Sequence, residues 1–241
     1  MYDDREHNLT VSNLNKTVGK TTILNNISFS LPKGRIVGLL GLNGAGKTTT
    51  LKAISKVISI DSGTIKVEGE PLEENNKNKV MFLPDTPLVY PVLTGKEYLS
   101  FMGDLLNYNL MDSSPFIKAL NLEHAMDKRI SDYSLGMKKK LTLIPLLIKK
   151  PKVLLLDEFI SGIDPVSMRD IKLMLKQYIS NKNSILFSTH QLDVAQSFCD
   201  SIIIIHKGEI QTPLTRAEEV LEKHETLEDF FIQQTDMERV Y

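Results

Sequence analysis

The sequence predicts an α/β fold: a mainly parallel sheet core, an antiparallel sheet early in the chain and a helical segment inserted in the middle. Three observations carry this expectation. The hydrophobic run Arg35-Ile36-Val37-Gly38-Leu39-Leu40 leads into a glycine-rich turn and then a helical pattern from Lys47 to about Val57. Val153-Leu154-Leu155-Leu156 and Ile202-Ile203-Ile204-Ile205 have the length of fully buried strands, with helical periodicity between them. Residues from about 86 to 150 carry helical pattern and no good strand, so the strand–helix alternation wraps around a helical insertion.

Each element has its own signal. Residues 9–14, 21–31 and 63–70 read as short strands, because Ile27, Phe29 and Leu31 alternate, as do Ile65 and Val67. Residues 79–83 give another strand. Thr94 followed by Glu97 is a capping box that starts a helix running to about Asn107. Pro145 lies inside a helical pattern and is expected to kink it. Asp164-Pro165 opens a further helix, since a proline at the first helical position gives up only an N–H that has no helical partner. On that helix Met168, Ile171, Met174, Leu175, Tyr178 and Ile179 form one apolar face, read as core. A strand at 184–188, a helix from Leu192, a hairpin-like pair at 201–205 and 209–212 around Lys207-Gly208, and an amphipathic helical tail from Arg216 complete the chain.

Composition narrows the function classes. A 241-residue chain with 41% hydrophobic residues can bury a sizeable core. A formal net charge of −1 gives no global electrostatic case for nucleic-acid binding. The single cysteine, Cys199, excludes an intrachain disulfide and reads as a small buried hydrophobe. The polar, acidic start is unlike a signal peptide, and the strongest apolar runs fall far short of the ~20 residues of a spanning helix. A soluble chain is expected, with any membrane role exercised through a partner. The basic run Lys138-Lys139-Lys140 reads as a solvated helix face.

The chemistry begins at Gly41-Leu42-Asn43-Gly44-Ala45-Gly46-Lys47-Thr48, which fits the P-loop pattern between a strand and a helix. Its glycines let successive N–H groups surround phosphate oxygens, and the helix adds its positive end. Lys47 would reach the β- and γ-phosphates, and Thr48, followed by Thr49, would offer a hydroxyl to Mg²⁺. Val153–Leu156 ends in Asp157-Glu158, which puts two carboxylates at the carboxyl edge of a parallel sheet, where ligands bind. Asp157 would hold Mg²⁺ directly or indirectly, and Glu158 would act as general base or orient the attacking water. Ser188-Thr189-His190 ends another buried strand, so His190 reaches the same edge as a candidate phosphate sensor.

With these residues in order, the chain resembles the ATP-binding subunits of ABC transporters over nearly its whole length. Tyr133-Ser134-Leu135-Gly136-Met137 is similar to that family's signature motif, Ser161-Gly162-Ile163-Asp164 to its D-loop, and His190 to its switch histidine. The form of the signature and the ending Leu227-Glu228-Asp229-Phe230-Phe231 look most like a bacterial exporter subclass, whose members move peptides, antibiotics, polysaccharides or ions. Three departures from the family pattern stand out, at four positions. Leu135 and Met137 replace a Gly and a Gln of the signature, Asp85 replaces the Q-loop glutamine while keeping an oxygen for the metal, and Val18 falls where an aromatic stacks on adenine. Tyr2 is the other ring that could cover the base.

The resemblance implies a single ATPase domain built as a P-loop NTPase. Residues 1–85 and 151–215 would form the nucleotide-binding lobe, 86–150 a helical lobe ahead of and through the signature, and 216–241 a helical tail. It implies ATP and Mg²⁺ as ligands, with Thr48, Asp85 and Asp157 at the metal. ATP would lie between the P-loop of one subunit and Ser134 and Gly136 of a second, identical or different, with Asp164 at the same interface. Hydrolysis would drive a separate transmembrane permease, in the direction of export, from the inner face of the cell membrane. Tyr90, Val92 and Leu93 would be exposed to that permease. A rival reading as a translation or DNA-repair module fits less well, because such proteins commonly carry two ATPase units or a long coiled coil.

Overall fold

Period-two alternation builds the first layer. In the computed structural model, which describes residues 6–224 and 226–235, β1 (His7–Val18) pairs antiparallel with β2 (Thr21–Pro32). Leu9, Val11 and Leu14 of one strand, and Leu24, Ile27, Phe29 and Leu31 of the other, are buried. β3 (Ile36–Leu40) is buried at all five residues, as a central parallel strand must be. It feeds α1 (Lys47–Ile54), which ends three residues earlier than the periodicity suggests, shortly before Lys56 turns left-handed at φ 58°. β4 (Ser62–Val67) and β5 (Glu70–Pro71) return to the first layer, giving an antiparallel sheet in the order β2-β1-β4-β5.

After β6 (Val80–Leu83) the chain enters the helical stretch: α2 (Gly95–Leu106), α3 (Ser114–Ala119) and α4 (Leu135–Lys149), with short 3-10 turns between them. The box at Thr94 is formed on both sides. Its hydroxyl accepts the Glu97 N–H at 3.2 Å, and the Glu97 carboxylate accepts the Thr94 N–H at 2.7 Å. α4 continues through Pro145 as one helix. β7 (Val153–Asp157), α5 (Pro165–Ser180), β8 (Ser184–Thr189), α6 (Leu192–Phe198) and β9 (Ser201–His206) then alternate. β10 (Glu209–Ile210) closes a hairpin on β9 across Lys207-Gly208. β11 (Thr215–Arg216) also pairs with β9. The expected tail helix is two helices, α7 (Ala217–Lys223) and α8 (Leu227–Gln234), the second capped by Thr226.

The second sheet runs β10-β9-β3-β8-β7-β6, and the five strands from β9 to β6 are parallel. Its two faces serve two cores. Ile36, Leu40, Leu154, Leu156, Ile185, Phe187, Ile202 and Ile204 face a core shared with α2, α4, α5 and α6. Val37, Leu39, Val153, Leu155, Leu186, Ile203 and Ile205 face α1 and the antiparallel sheet. This is a three-layer α/β arrangement that turns the carboxyl ends of β3, β7 and β8 toward one edge. The apolar stripe of α5 is core as expected, with Ile171, Met174, Leu175 and Tyr178 buried. Cys199 is buried, and burial pushes its thiol well above the ordinary range.

Two expectations about exposure are corrected. Lys139 and Lys140 are buried, not solvated. They continue, one turn earlier, the α4 stripe of Leu143, Ile144 and Leu147, and each spends its charge on a partner. Lys140 meets Asp170 at 2.6 Å, and Lys139 reaches the site described next. Tyr90 and Val92 are exposed, but Leu93 is half-buried against the core, and its carbonyl accepts the Ile130 N–H at 2.8 Å.

Candidate nucleotide site

The phosphate loop is shaped by its glycines. Gly44 and Gly46 have φ of 81° and 106°, and a Cβ at Gly44 would meet nothing within 4 Å, so open space lies on that side of the turn. The Ala45 N–H donates to the Leu42 carbonyl at 3.1 Å, and the Thr50 N–H donates to Gly46 at 2.9 Å as α1 begins. Lys47 curls back over the turn. Its Nζ donates to the carbonyls of Gly41 and Leu42 at 2.7 and 3.1 Å and stands 3.5 Å from the Glu158 carboxylate. The loop is braced from outside. Gly208, at φ 78° in the β9–β10 turn, donates its N–H to the Ala45 carbonyl at 3.0 Å and accepts the Asn25 N–H at 2.8 Å. A Cβ there would come 2.2 Å from the Ile23 carbonyl oxygen, so only glycine fits.

The ends of β7 and β8 supply the acid groups. Thr48 donates its hydroxyl to Asp157 Oδ2 at 2.8 Å, and Ser188 donates to Asp157 Oδ1 at 2.5 Å. Glu158 follows in the left-handed region at φ 44°, an uncommon conformation for a non-glycine residue. Its N–H is held by the Ser188 carbonyl at 3.1 Å. Its carboxylate meets His190 Nδ1 at 2.9 Å through one oxygen and accepts the Ser161 hydroxyl at 3.2 Å through the other. Lys47, Thr48, Asp157, Glu158 and His190 therefore form one connected cluster, as the sequence predicts. The hydroxyls of Ser188 and Ser161 were not singled out from sequence. Ser188 directly precedes Thr189-His190, and Ser161 lies three residues after Glu158, one turn on.

Thr48 and Asp157 offer hard oxygen donors side by side, which suits Mg²⁺. Among the described residues no group of three or more His, Cys, Asp or Glu could hold a metal unaided. That fits a cation that takes one or two protein oxygens and completes its shell with phosphate and water.

The remaining predicted residues lie outside this hydrogen-bonded cluster. Ser134 caps α4, accepting the Met137 N–H at 3.2 Å, and is itself exposed. Gly136 packs against the start of α5 in its own chain: a Cβ there would stand 2.7 Å from Ser167 Oγ and 2.9 Å from Asp164 Oδ2. Asp164 caps α5 by accepting the Ser167 N–H at 2.9 Å, and those bonds hold its carboxyl below the usual range. Val18 is exposed at the tip of the β1–β2 hairpin, opposite Thr21. Tyr2 lies outside the described residues. Asp85 finds a partner other than the Thr48–Asp157 pair: its carboxylate is 3.4 Å from Lys139 Nζ.

A phosphate-cradling turn between β3 and α1, with an Asp-Glu pair at the end of a neighbouring parallel strand, defines a P-loop nucleotide-binding protein. The comparisons give the family. The ABC transporter family model matches residues 24–161. A lantibiotic transport ATP-binding protein of Streptococcus pyogenes is 31% identical over 235 residues, covering 96% of this chain and 99% of that protein. A bacitracin transport ATP-binding protein of Enterococcus faecalis is 35% identical over 211 residues, covering 85% and 68%. The solved structure of an ATP-binding subunit of an ABC transporter superposes with a TM-score of 0.83 at 25% identity, covering 94% of this chain and 98% of that one. The chain belongs to the ABC transporter family, as an ATP-binding subunit. No helix among the described residues is long and apolar enough to cross a membrane.

Proposed function

We propose that this subunit hydrolyses ATP at an interface with a second ATPase subunit and so drives a separate transmembrane permease in the direction of export. The observation that carries the reading is the Glu158 carboxylate, held by His190 and Ser161 beside the Thr48–Asp157 oxygen pair. Residues Gly41 to Thr49 bind the phosphates, and Lys47 exchanges its own loop carbonyls for phosphate oxygens. Glu158 takes a proton from the attacking water, and His190 orients that carboxylate and senses the terminal phosphate. Mg²⁺, held by Thr48 and Asp157, neutralises charge on the phosphoryl oxygens when bound. Val18 faces the base. Ser134, exposed at the start of α4, supplies its hydroxyl to the nucleotide of the partner subunit, and Asp164 lies at the same junction.

The export direction and a peptide-antibiotic cargo are supported by the names of the relatives, which transport a lantibiotic and bacitracin. Exposed Leu88, Tyr90, Val92, Phe101 and Leu105 support contact with a membrane subunit, and with it a peripheral position on the inner face of the membrane. Glu158→Gln tests the reading. The amide cannot take a proton, so steady-state ATP hydrolysis by the purified chain should fall by about 10²–10⁴-fold while ATP still binds in calorimetry. A rate within threefold of wild type removes Glu158 from the base role.

A further inference from the structure

The catalytic carboxylate sits on a turn whose shape is held from outside by a single cation. Lys139 is buried on α4, and its ammonium donates to the Glu158 carbonyl at 3.2 Å and the Ser161 carbonyl at 3.0 Å, the two ends of one tight turn. Its third neighbour is Asp85 Oδ1 at 3.4 Å, on the loop that follows β6. Phe159, inside the turn, lies under the same ammonium at 5.8 Å. The turn needs such support. Glu158 is left-handed at φ 44°, and the turn's internal backbone bond is Ser161 N–H to the Glu158 carbonyl at 3.1 Å, on the same oxygen that Lys139 engages.

A buried ammonium is costly unless it is paired and hydrogen-bonded. Desolvation lowers the affinity of Lys139 for its proton, and the Asp85 carboxylate and then Glu158 oppose that loss. The neighbours from each element packed on the ammonium are therefore Asp85 from the β6 loop and Glu158, Phe159 and Ser161 from the β7 loop. Asp85, itself more than half exposed, is the one carboxylate within ion-pair distance of this ammonium among the described residues.

We propose that Lys139 is a positioning residue for Glu158, and that Asp85 serves it as counter-charge and does not ligate the metal. Lys139 fixes the backbone from which Glu158, Ser161 and, through them, the His190 contact are aimed. Because Asp85 and Lys139 belong to the segment between β6 and β7, a shift of that segment changes the aim of the base without touching the P-loop. The proposal rests on the ATPase reading above and deepens it by assigning control of the base to a cation on α4.

The test compares purified wild type, Asp85→Gln, Lys139→Gln and the double variant, with kcat and KM for ATP measured separately and the Mg²⁺ concentration for half-maximal rate recorded. Lys139→Gln is expected to lower kcat by roughly 10- to 100-fold, less than the about 10²–10⁴-fold of losing a general base outright, with KM for ATP within about twofold. Asp85→Gln lowers kcat by a smaller factor and leaves the Mg²⁺ titration where it was. The double variant recovers most of the loss, because two neutral amides can bond to each other and to the carbonyls. Full kcat in Lys139→Gln, losses that multiply in the double variant, or a shifted Mg²⁺ titration in Asp85→Gln each overturn the proposal. If Lys139→Gln does not fold, Asp85→Gln decides alone: an unchanged kcat sinks the idea. A wild type without turnover overturns the ATPase reading together with it, whereas an active wild type with an indifferent Lys139 overturns this assignment only.

Discussion

The sheet edge and the start of α4 make opposite use of the same kinds of group. At the edge, Lys47, Thr48, Asp157, Glu158 and His190 satisfy one another within a few ångströms. At α4, Ser134 spends its oxygen on capping its own helix, and Leu135 beside it is 42% exposed. The first region is a closed electrostatic cluster that a ligand must enter by displacing internal partners. The second is presented outward, toward where the proposed partner subunit would bring its nucleotide.

The sharpest way to break that comparison is to fill the outward half. Ser134→Arg should abolish hydrolysis, a loss of at least about 100-fold of the kind seen when transition-state electrostatics are removed, although the P-loop is untouched. Mixing it with Lys47→Ala should restore partial activity in a homodimer, since one composite site then keeps both halves. Full activity in purified Ser134→Arg would mean that the outward half has no role in the reaction.

The buried pair behind α4 gives the next largest effect. Lys140 and Asp170 lie 2.6 Å apart with little solvent access. Burial raises the Asp170 carboxyl, but the bonds from Lys140 and Asn121 outweigh it and leave the group below its ordinary range. Asp170→Asn strands a buried ammonium and should cost about 3 kcal/mol in urea unfolding. The depressed pKa gives this carboxylate a stabilising contribution that is present above its unfolded value and lost as pH falls through the folded one. Between pH 5 and pH 3 wild type should therefore lose stability faster than the variant. Parallel pH profiles would remove Asp170 from that account.

The smallest effect concerns the base. Val18 exposes two methyl groups where an aromatic ring would offer a stacking face. Base–aromatic stacking is worth about 1–3 kcal/mol, so Val18→Tyr should tighten ATP by roughly tenfold in calorimetry, and wild type should discriminate poorly between ATP and GTP. Equal affinities in the two proteins, already tight in wild type, would mean that the base is held elsewhere.

Most of the fold was legible because its signals are local. Five-residue apolar runs, the Thr94–Glu97 box and the Asp164-Pro165 start each specify an element without help from the rest of the chain. The cluster at the sheet edge was legible because strand order brings the residues after β3, β7 and β8 together. Lys139 and Lys140 were misread because charge was weighed above position. They fall four residues before Leu143 and Ile144, on the buried stripe, and that periodicity was the signal available. The pairing of Asp85 with Lys139 spans 54 residues of sequence that no local pattern records. The break between α7 and α8 was missed because the tail's apolar spacing persists across it, while Thr226 caps a second start.

Gly208 joins three parts of the molecule at one residue: the P-loop through Ala45, the antiparallel sheet through Asn25, and the hairpin to which it belongs. It acts as a rivet. With no side chain to give way and the Ile23 carbonyl hard against it, the rivet has no play. A shift of the loop would be passed through these bonds to the hairpin and to the adjoining stretch of β2, and the tip bearing Val18 lies on that same strand pair. If the base faces Val18, as proposed above, the two ends of one nucleotide would bear on one connected set of strands.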